Sequence, residues 1–396
     1  MLSRHLTDRL NQQRLKDRWR QEITIDSPQG IEVSRLGRSL VNFSSNDYLS
    51  LANDPLMIKA MHQAIDKYGC GSGASHLISG HLASHQALEE TLVDWLQCEA
   101  ITLFSSGYQA NLAVLTTLVG KGDLIVQDKL NHASLIDAGL MSQAANKRYR
   151  HCDYQSLLQQ LKGDFNSKMI VSDGVFSMDG DAVNLTELMS IASEEKASVY
   201  IDDAHGIGVL GHEGSGTLAH YNVKPVDNVI MMGTMGKALG VAGAFVASSQ
   251  LVADALKQFA RPYIYTTAMP PANAQVANEA VNIIRKTPER TEKLRHNIVQ
   301  FKQLALHYNI QLMPSDTAIQ PVLVGTERKC LSVAKELELQ GFLVGAIRPP
   351  TVPENTCRLR ITLSSHHSVT MIQNLVSSLS EILDKHDEKD NKVMNK

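Results

Sequence analysis

Between residues 100 and 250 the chain repeats one pattern: short, unalternating apolar runs separated by stretches with helical spacing. The runs fall at 100–104, 124–126, 169–172, 198–201, 229–232 and 243–247. A strand with one wet face alternates apolar and polar side chains, whereas a strand covered on both faces reads as a continuous apolar run. Helix-length segments between the earlier runs allow parallel pairing through crossover helices. The pattern therefore predicts an α/β fold with a mainly parallel sheet and helices on both sides.

Around this core the pattern changes. Leu6, Leu10 and Trp19 among charges predict an amphipathic helix within the first 22 residues, one that packs on something else. Two short strands, 31–33 and 40–43, flank the Gly37 turn, and a helix is expected over 55–68. Beyond Pro288 a long polar-rich helix leads to a strand at 319–324, a helix near 331–337 and a final helix carrying Ile372, Leu375, Val376, Leu379, Ile382 and Leu383 in register. The division expected is an N-terminal helix and strands (1–45), a large domain (46–287), a smaller C-terminal α+β domain (288–384) and a charged, frayed tail (385–396).

Composition narrows the function. Lys+Arg 38 against Asp+Glu 41 leaves a net charge of −3, without the basic surplus a dedicated nucleic-acid binder uses to neutralise phosphates. No run approaches the roughly 18 apolar residues of a membrane span, and the N-terminus lacks the apolar core of a signal peptide. The five cysteines, Cys70, Cys98, Cys152, Cys330 and Cys357, are odd in number and widely spaced, as neither a disulfide framework nor a CxxC knuckle would be. His366 and His367 have no carboxylate or cysteine at ligand spacing, so no metal is expected. A cytoplasmic, soluble protein is the expectation.

Three segments carry chemistry. Val199-Tyr200-Ile201-Asp202-Asp203-Ala204-His205-Gly206 ends an apolar run in two acids and a histidine, and in open α/β sheets ligands bind beyond the carboxyl ends of strands. An acid that caps the next element is the plain alternative, and it suits Asp203. Gly233-Thr234-Met235-Gly236-Lys237-Ala238 places a lysine among small residues after a buried run; a desolvated amine is available as a nucleophile or Schiff-base former. The spacing does not make a Walker loop. Phe104-Ser105-Ser106-Gly107-Tyr108-Gln109-Ala110-Asn111 joins a strand to a helix through small residues, leaving helix N–H groups for an anion.

Together with Asn42-Phe43-Ser44-Ser45-Asn46-Asp47-Tyr48-Leu49, the glycine-rich loop 71–80, Asn131-His132-Ala133-Ser134 and Gly174-Val175-Phe176-Ser177-Met178-Asp179-Gly180, these motifs resemble the α-oxoamine synthase family from about Arg20 to His367. The resemblance implies the aspartate-aminotransferase-type fold (fold type I), pyridoxal 5′-phosphate (PLP) as cofactor, and a homodimer with its active site at the subunit interface. It implies that Lys237 carries the cofactor and moves the α-proton, that Asp202 pairs with the pyridine nitrogen, and that His205 and Ser177 bond the phenolic oxygen. Gly107, Tyr108 and Thr234 would hold the phosphate, with Thr266 or Thr267 added from a second subunit. His132 would stack on the ring and join the chemistry. Arg20, Asn46, His132, Thr351 and Arg360 would contact substrate, Arg360 gripping an amino-acid carboxylate bidentately. Arg358 is the more dispensable arginine of its pair.

Members differ in the amino acid and the acyl thioester. Ala346-Ile347-Arg348-Pro349-Pro350-Thr351-Val352-Pro353 and Ala318-Ile319-Gln320-Pro321 resemble the branch that joins L-alanine to a pimeloyl thioester, on CoA or a carrier protein. Asp173 stands where some members of that branch have Glu. The alternatives are the glycine–acetyl branch or another member, and, more distantly, a non-catalytic PLP-binding regulatory module.

Overall fold

The computed structural model describes residues 2–394. The chain divides into two compact units: Leu49–Ser177 with Asp181–Thr291, and the remainder, made of the N-terminal segment through Tyr48, Met178–Gly180 and the chain from Glu292 onward.

The first of these holds a seven-stranded sheet built from β1 (Ala100–Phe104), β2 (Leu124–Asp128), β3 (Ala145–Tyr149), β4 (Lys168–Asp173), β5 (Ser198–Asp202), β6 (Val229–Thr234) and β7 (Ala244–Ser248), in spatial order β1-β7-β6-β5-β4-β2-β3. All pairings are parallel except those of β7, which runs antiparallel to both β1 and β6. That reversal follows from the short 234–243 connection, which is a tight turn and cannot hold a crossover helix. Each of the six runs read from the sequence is a strand, and β1, β2 and β7 are buried at every position. The sequence reading missed β3, Ala-Asn-Lys-Arg-Tyr, which is mostly wet and pairs with β2 alone. An edge strand with so little apolar surface has no hydrophobic period to detect.

Helices Gly107–Leu118 and Ala133–Met141 pack against the sheet through Ala110, Ala113, Val114, Leu115, Leu135 and Ala138, which join Val171, Tyr200, Ile230 and Val246 in one buried cluster. The helix Pro55–Tyr68 starts as its sequence dictates: Asp54 caps the Leu56 N–H at 2.8 Å, with Pro55 in the first turn.

The second unit contains two three-stranded sheets. Glu32–Arg35, Arg38–Asn42 and Phe342–Leu343 form one; Ile319–Gly325, Cys357–Thr362 and Gly345–Ile347 form the other. The N-terminal helix is Leu2–Leu15, and Leu6 and Leu10 on it stay nearly half exposed. The charged tail is not frayed over its described length: the last helix runs Val369–Met394. Lys329 pairs with Asp387 at 2.6 Å and Glu336 bonds His386 at 2.8 Å, so polar contacts to the helix Glu327–Leu339 hold it beyond Leu383. Residues 395–396 of that tail lie outside the described residues.

Candidate active site

The carboxyl ends of β1, β2, β4, β5 and β6 open on one cavity, which Gly107, Tyr108, Asn111, His132, Ser134, Asp173, Ser177, Asp202, Ala204, His205, Met232, Thr234 and Lys237 line. The fold therefore gathers the whole expected cofactor set, Gly107, Tyr108, Ser177, Asp202, His205, Thr234 and Lys237, together with His132.

Asp202 is the last residue of β5 and is buried. Its Oδ2 accepts from Asn111 Nδ2 at 2.7 Å and its Oδ1 from the Ala204 N–H at 3.1 Å, so the carboxylate is held at both oxygens. Asp173 ends β4 in direct register with Asp202, which points both carboxyls to the same side of the sheet. Burial first, and then the charge of Asp202, push the Asp173 carboxyl well above the usual carboxylate range. Its Oδ1 takes the His132 N–H at 3.2 Å, and its own N–H bonds Asn131 Oδ1 at 3.0 Å. Asp203 is structural: its carboxylate accepts the Thr217 N–H at 2.7 Å and the Thr217 hydroxyl at 2.5 Å, while burial raises its pKa to about 7.

Lys237 lies in the turn between β6 and β7. The Gly240 N–H bonds the Lys237 carbonyl at 2.9 Å, and Met235 N–H bonds Gly243 O at 2.8 Å. Gly240 has φ +68°, and a Cβ there would lie 2.5 Å from the Ala52 nitrogen; only glycine closes this turn. Lys237 Nζ meets His205 Nε2 at 2.8 Å. The Thr234 hydroxyl donates to Gly243 O at 3.1 Å and accepts the Gly236 N–H at 3.3 Å, so here it fastens the lysine turn. Ser106 caps the helix Gly107–Leu118 through the Gln109 N–H, and the first-turn N–H groups of Gly107 and Tyr108 border the cavity. A Cβ on Gly107 would come within 3.2 Å of Met232 Cε.

A PLP molecule needs an amine for its aldehyde, an anion for its ring nitrogen and donors for its phosphate. Lys237, the doubly held Asp202 carboxylate and an open helix N-terminus supply all three around one cavity, so the residues present fit the group.

The other expected substrate residues, Arg20, Asn46, Thr351 and Arg360, lie in the other unit. Arg360, buried in the strand Cys357–Thr362, donates to Asn46 Oδ1 at 3.1 Å, and the buried Tyr48 hydroxyl reaches the same oxygen at 3.2 Å. Arg20 Nη2 donates to Thr351 Oγ1 at 3.2 Å. Arg358 is buried in an ion pair with Asp179, a structural charge. His367 stacks on Phe43 with ring centroids 4.0 Å apart. Its Nδ1 accepts the Ser364 N–H at 2.9 Å, and Nε2 meets Asn42 O at 3.2 Å, so both nitrogens are used in packing.

Among the described residues, Asp128, His151 and Cys152 bring three potential metal donors together. His151 is clamped there by Asp128 Oδ1 at 3.0 Å and Asp181 Oδ2 at 2.8 Å. Burial works against the imidazolium, yet the two carboxylates raise its pKa to about 12. Both ring nitrogens therefore carry protons, and the cluster works as an ion-pair staple.

Asn111, Ser134 and Asp173 were not assigned roles from the sequence. A signal existed for Asn111: it is polar at a position flanked by Ala110, Ala113 and Val114 on the buried face of its helix.

This fold and this cavity define a PLP-dependent enzyme of fold type I. The family described as aminotransferase class I and II matches residues 38–379. An 8-amino-7-oxononanoate synthase of Hydrogenovibrio crunogenus is 48% identical over 92% of this chain and 93% of its own. A solved structure of SPT with PLP superposes with a TM-score of 0.91 at 27% identity, covering 96% of this chain and 98% of that one. A crystal structure of 8-amino-7-oxononanoate synthase from Francisella tularensis gives 0.77 at 30% identity, covering 88% and 98%. The chain belongs to the 8-amino-7-oxononanoate synthase family within the class I and II aminotransferases.

Proposed function

We propose that the protein condenses L-alanine with a pimeloyl thioester, on CoA or a carrier protein, releasing CO2 and the free thiol and forming 8-amino-7-oxononanoate, a step of biotin biosynthesis. The observation that carries this reading is the Lys237 amine facing the same cavity as the anchored Asp202 carboxylate, in a chain 48% identical to a relative of that name. PLP, when bound, supplies an acceptor for the electron pair left at the α-carbon.

The chain's own residues divide the remaining work. Lys237 Nζ would hold the cofactor and is the amine placed in the cavity to take the α-proton and return it. His205 Nε2 lies 2.8 Å from that amine and keeps it aimed. Asp202 faces the ring nitrogen with a carboxylate that Asn111 and the Ala204 N–H hold in place at both oxygens. Arg360 grips the alanine carboxylate, and Asn46 fixes the guanidinium plane. The α-carbon then bonds to the thioester carbonyl carbon, the C–S bond breaks and the thiol leaves. Loss of CO2 from the resulting β-keto acid and one proton at the α-carbon complete the balance. His132 donates to the thioester or ketone oxygen.

No helix among the described residues is long and apolar enough to cross a membrane. The same reading makes the working form a cytoplasmic homodimer, with Thr266 or Thr267 serving the partner's cofactor phosphate. A donor panel tests the proposal: alanine, glycine and serine against pimeloyl, acetyl, succinyl and palmitoyl thioesters, following thiol release. Turnover with alanine and pimeloyl thioester is expected. Turnover confined to glycine with acetyl-CoA would refute it.

A further inference from the structure

Asn111, on the helix Gly107–Leu118, bonds groups on two other elements, the strand β5 and the helix Ala133–Met141. Its Oδ1 lies 2.6 Å from the Tyr200 hydroxyl, and its Nδ2 lies 2.7 Å from Asp202 Oδ2 and 2.7 Å from Ser134 Oγ. The amide has one consistent orientation. A carboxylate oxygen can only accept, so Nδ2 faces Asp202; Oδ1 then receives the Tyr200 proton. Flipping the amide would set its oxygen against the carboxylate.

That orientation fixes every proton further along. The second N–H of Nδ2 goes to Ser134 Oγ, which leaves the Ser134 hydroxyl hydrogen for its other neighbour, His132 Nδ1, at 2.7 Å. The Ser134 backbone N–H also points to His132 Nδ1, at 3.3 Å. A ring nitrogen that receives two donors carries a lone pair, and in a neutral imidazole the proton then sits on the other nitrogen.

We propose that Asn111 and Ser134 are positioning residues that hold His132 as the neutral Nε2–H tautomer and couple that choice to the charge on Asp202. Asn111, Ser134 and Asp202 are all buried, so water does not compete for these bonds. The consequence for chemistry rests on the proposed function: His132 meets the cavity as a hydrogen-bond donor, suited to polarise a carbonyl oxygen, and not as a base. The wire also gives the Asp202 carboxylate a second task, since its charge selects the amide orientation from which the tautomer follows.

The test reads the tautomer directly in the PLP-loaded protein with 15N-labelled histidine, by long-range 1H–15N correlation, with His132→Gln used to assign the His132 signals. Wild type is expected to show Nδ1 unprotonated and Nε2 protonated. Ser134→Ala removes one of the two donors to Nδ1, and the ratio is expected to move about fivefold toward Nδ1–H, the weight of one neutral hydrogen bond. Ser134→Thr keeps a hydroxyl and should restore the wild-type pattern. In turnover, Ser134→Ala should lower kcat while the KM for alanine and PLP retention hold. Wild type with Nδ1 protonated, or Ser134→Ala with an unchanged ratio, would overturn the proposal. Because the spectrum needs no substrate, a silent donor panel with the expected tautomers would sink the proposed function alone. An active panel with the wrong tautomer would sink only the wire.

Discussion

Replacing Asp202 by Asn tests the electron-sink role and has a structural cost that can be worked out in advance. Each carboxylate oxygen accepts one N–H: Oδ2 from Asn111 at 2.7 Å and Oδ1 from Ala204 at 3.1 Å. An amide has one acceptor oxygen, so its NH2 must face one of these two donors. Hydrogen bonds to a charged group contribute about 1.5–3 kcal/mol each, and a buried donor left unpaired costs about 1–3 kcal/mol. Asp173 offsets part of this loss, because the charge of Asp202 is one of the causes that raise its pKa, and the substitution removes it. The protein should therefore fold, destabilised by about 2 kcal/mol. Turnover should fall much further. Losing an ionic partner aimed at developing charge costs about 2.7–4 kcal/mol, or about 10²–10³ in kcat. The assay is thiol release from pimeloyl thioester at saturating alanine, with cofactor absorbance confirming that PLP stays bound. Turnover within about fivefold of wild type, with PLP bound, would refute the role.

Other substitutions probe separate parts of the account. Arg360→Lys keeps a charge but loses the planar fork; the KM for alanine should rise by at least about tenfold, an estimate from the loss of one charged hydrogen bond, while PLP binding holds. Normal alanine affinity would move the clamp elsewhere. Gly240→Ala forces a Cβ within 2.5 Å of the Ala52 backbone at φ +68°, a strain of about 1–3 kcal/mol. It should weaken PLP retention by shifting the Lys237 turn, and dialysis against buffer reads this. Burial lowers the pKa of His367 from 6.5 to about 4, so between these values the unfolded chain binds the extra proton and stability falls as pH drops below 6.5. Urea midpoints measured from pH 7.5 to about 4.5 should fall less steeply for His367→Gln than for wild type, and parallel curves would contradict the assignment.

The parts legible in sequence were those where a single physical demand dominates a short stretch. Burial on both faces wrote β1, β2 and β4 to β7 as apolar runs, and the need to return the chain around Lys237 wrote Gly236, Gly240 and Gly243. β3 escaped because an edge strand is specified by its neighbour's open hydrogen bonds and not by its own side chains. The five-residue π-turn His76–Gly80 escaped because nothing in a glycine-rich loop separates it from an ordinary turn. Part of the cavity lining was visible because it lies at or just beyond strand ends, where polar residues such as Asp202, His205 and Thr234 follow an apolar run. Asn111 and Ser134 act through three-dimensional hydrogen bonds between helices and β5, and no local spacing encodes a bond between residues 111 and 202. Asp173 could be seen as the polar end of a run, but its pairing in register with Asp202 became clear only with the sheet order.

The claim that binds the account together is that Lys237, in the turn fastened by Gly240 and Gly243, is the residue joined to PLP. Borohydride reduction makes a lysine–cofactor link permanent, and peptide mapping then locates it. The account predicts one pyridoxyl-modified peptide, carrying the label on Lys237, and none in a folded Lys237→Ala protein. Label on any other lysine of the active protein would contradict it.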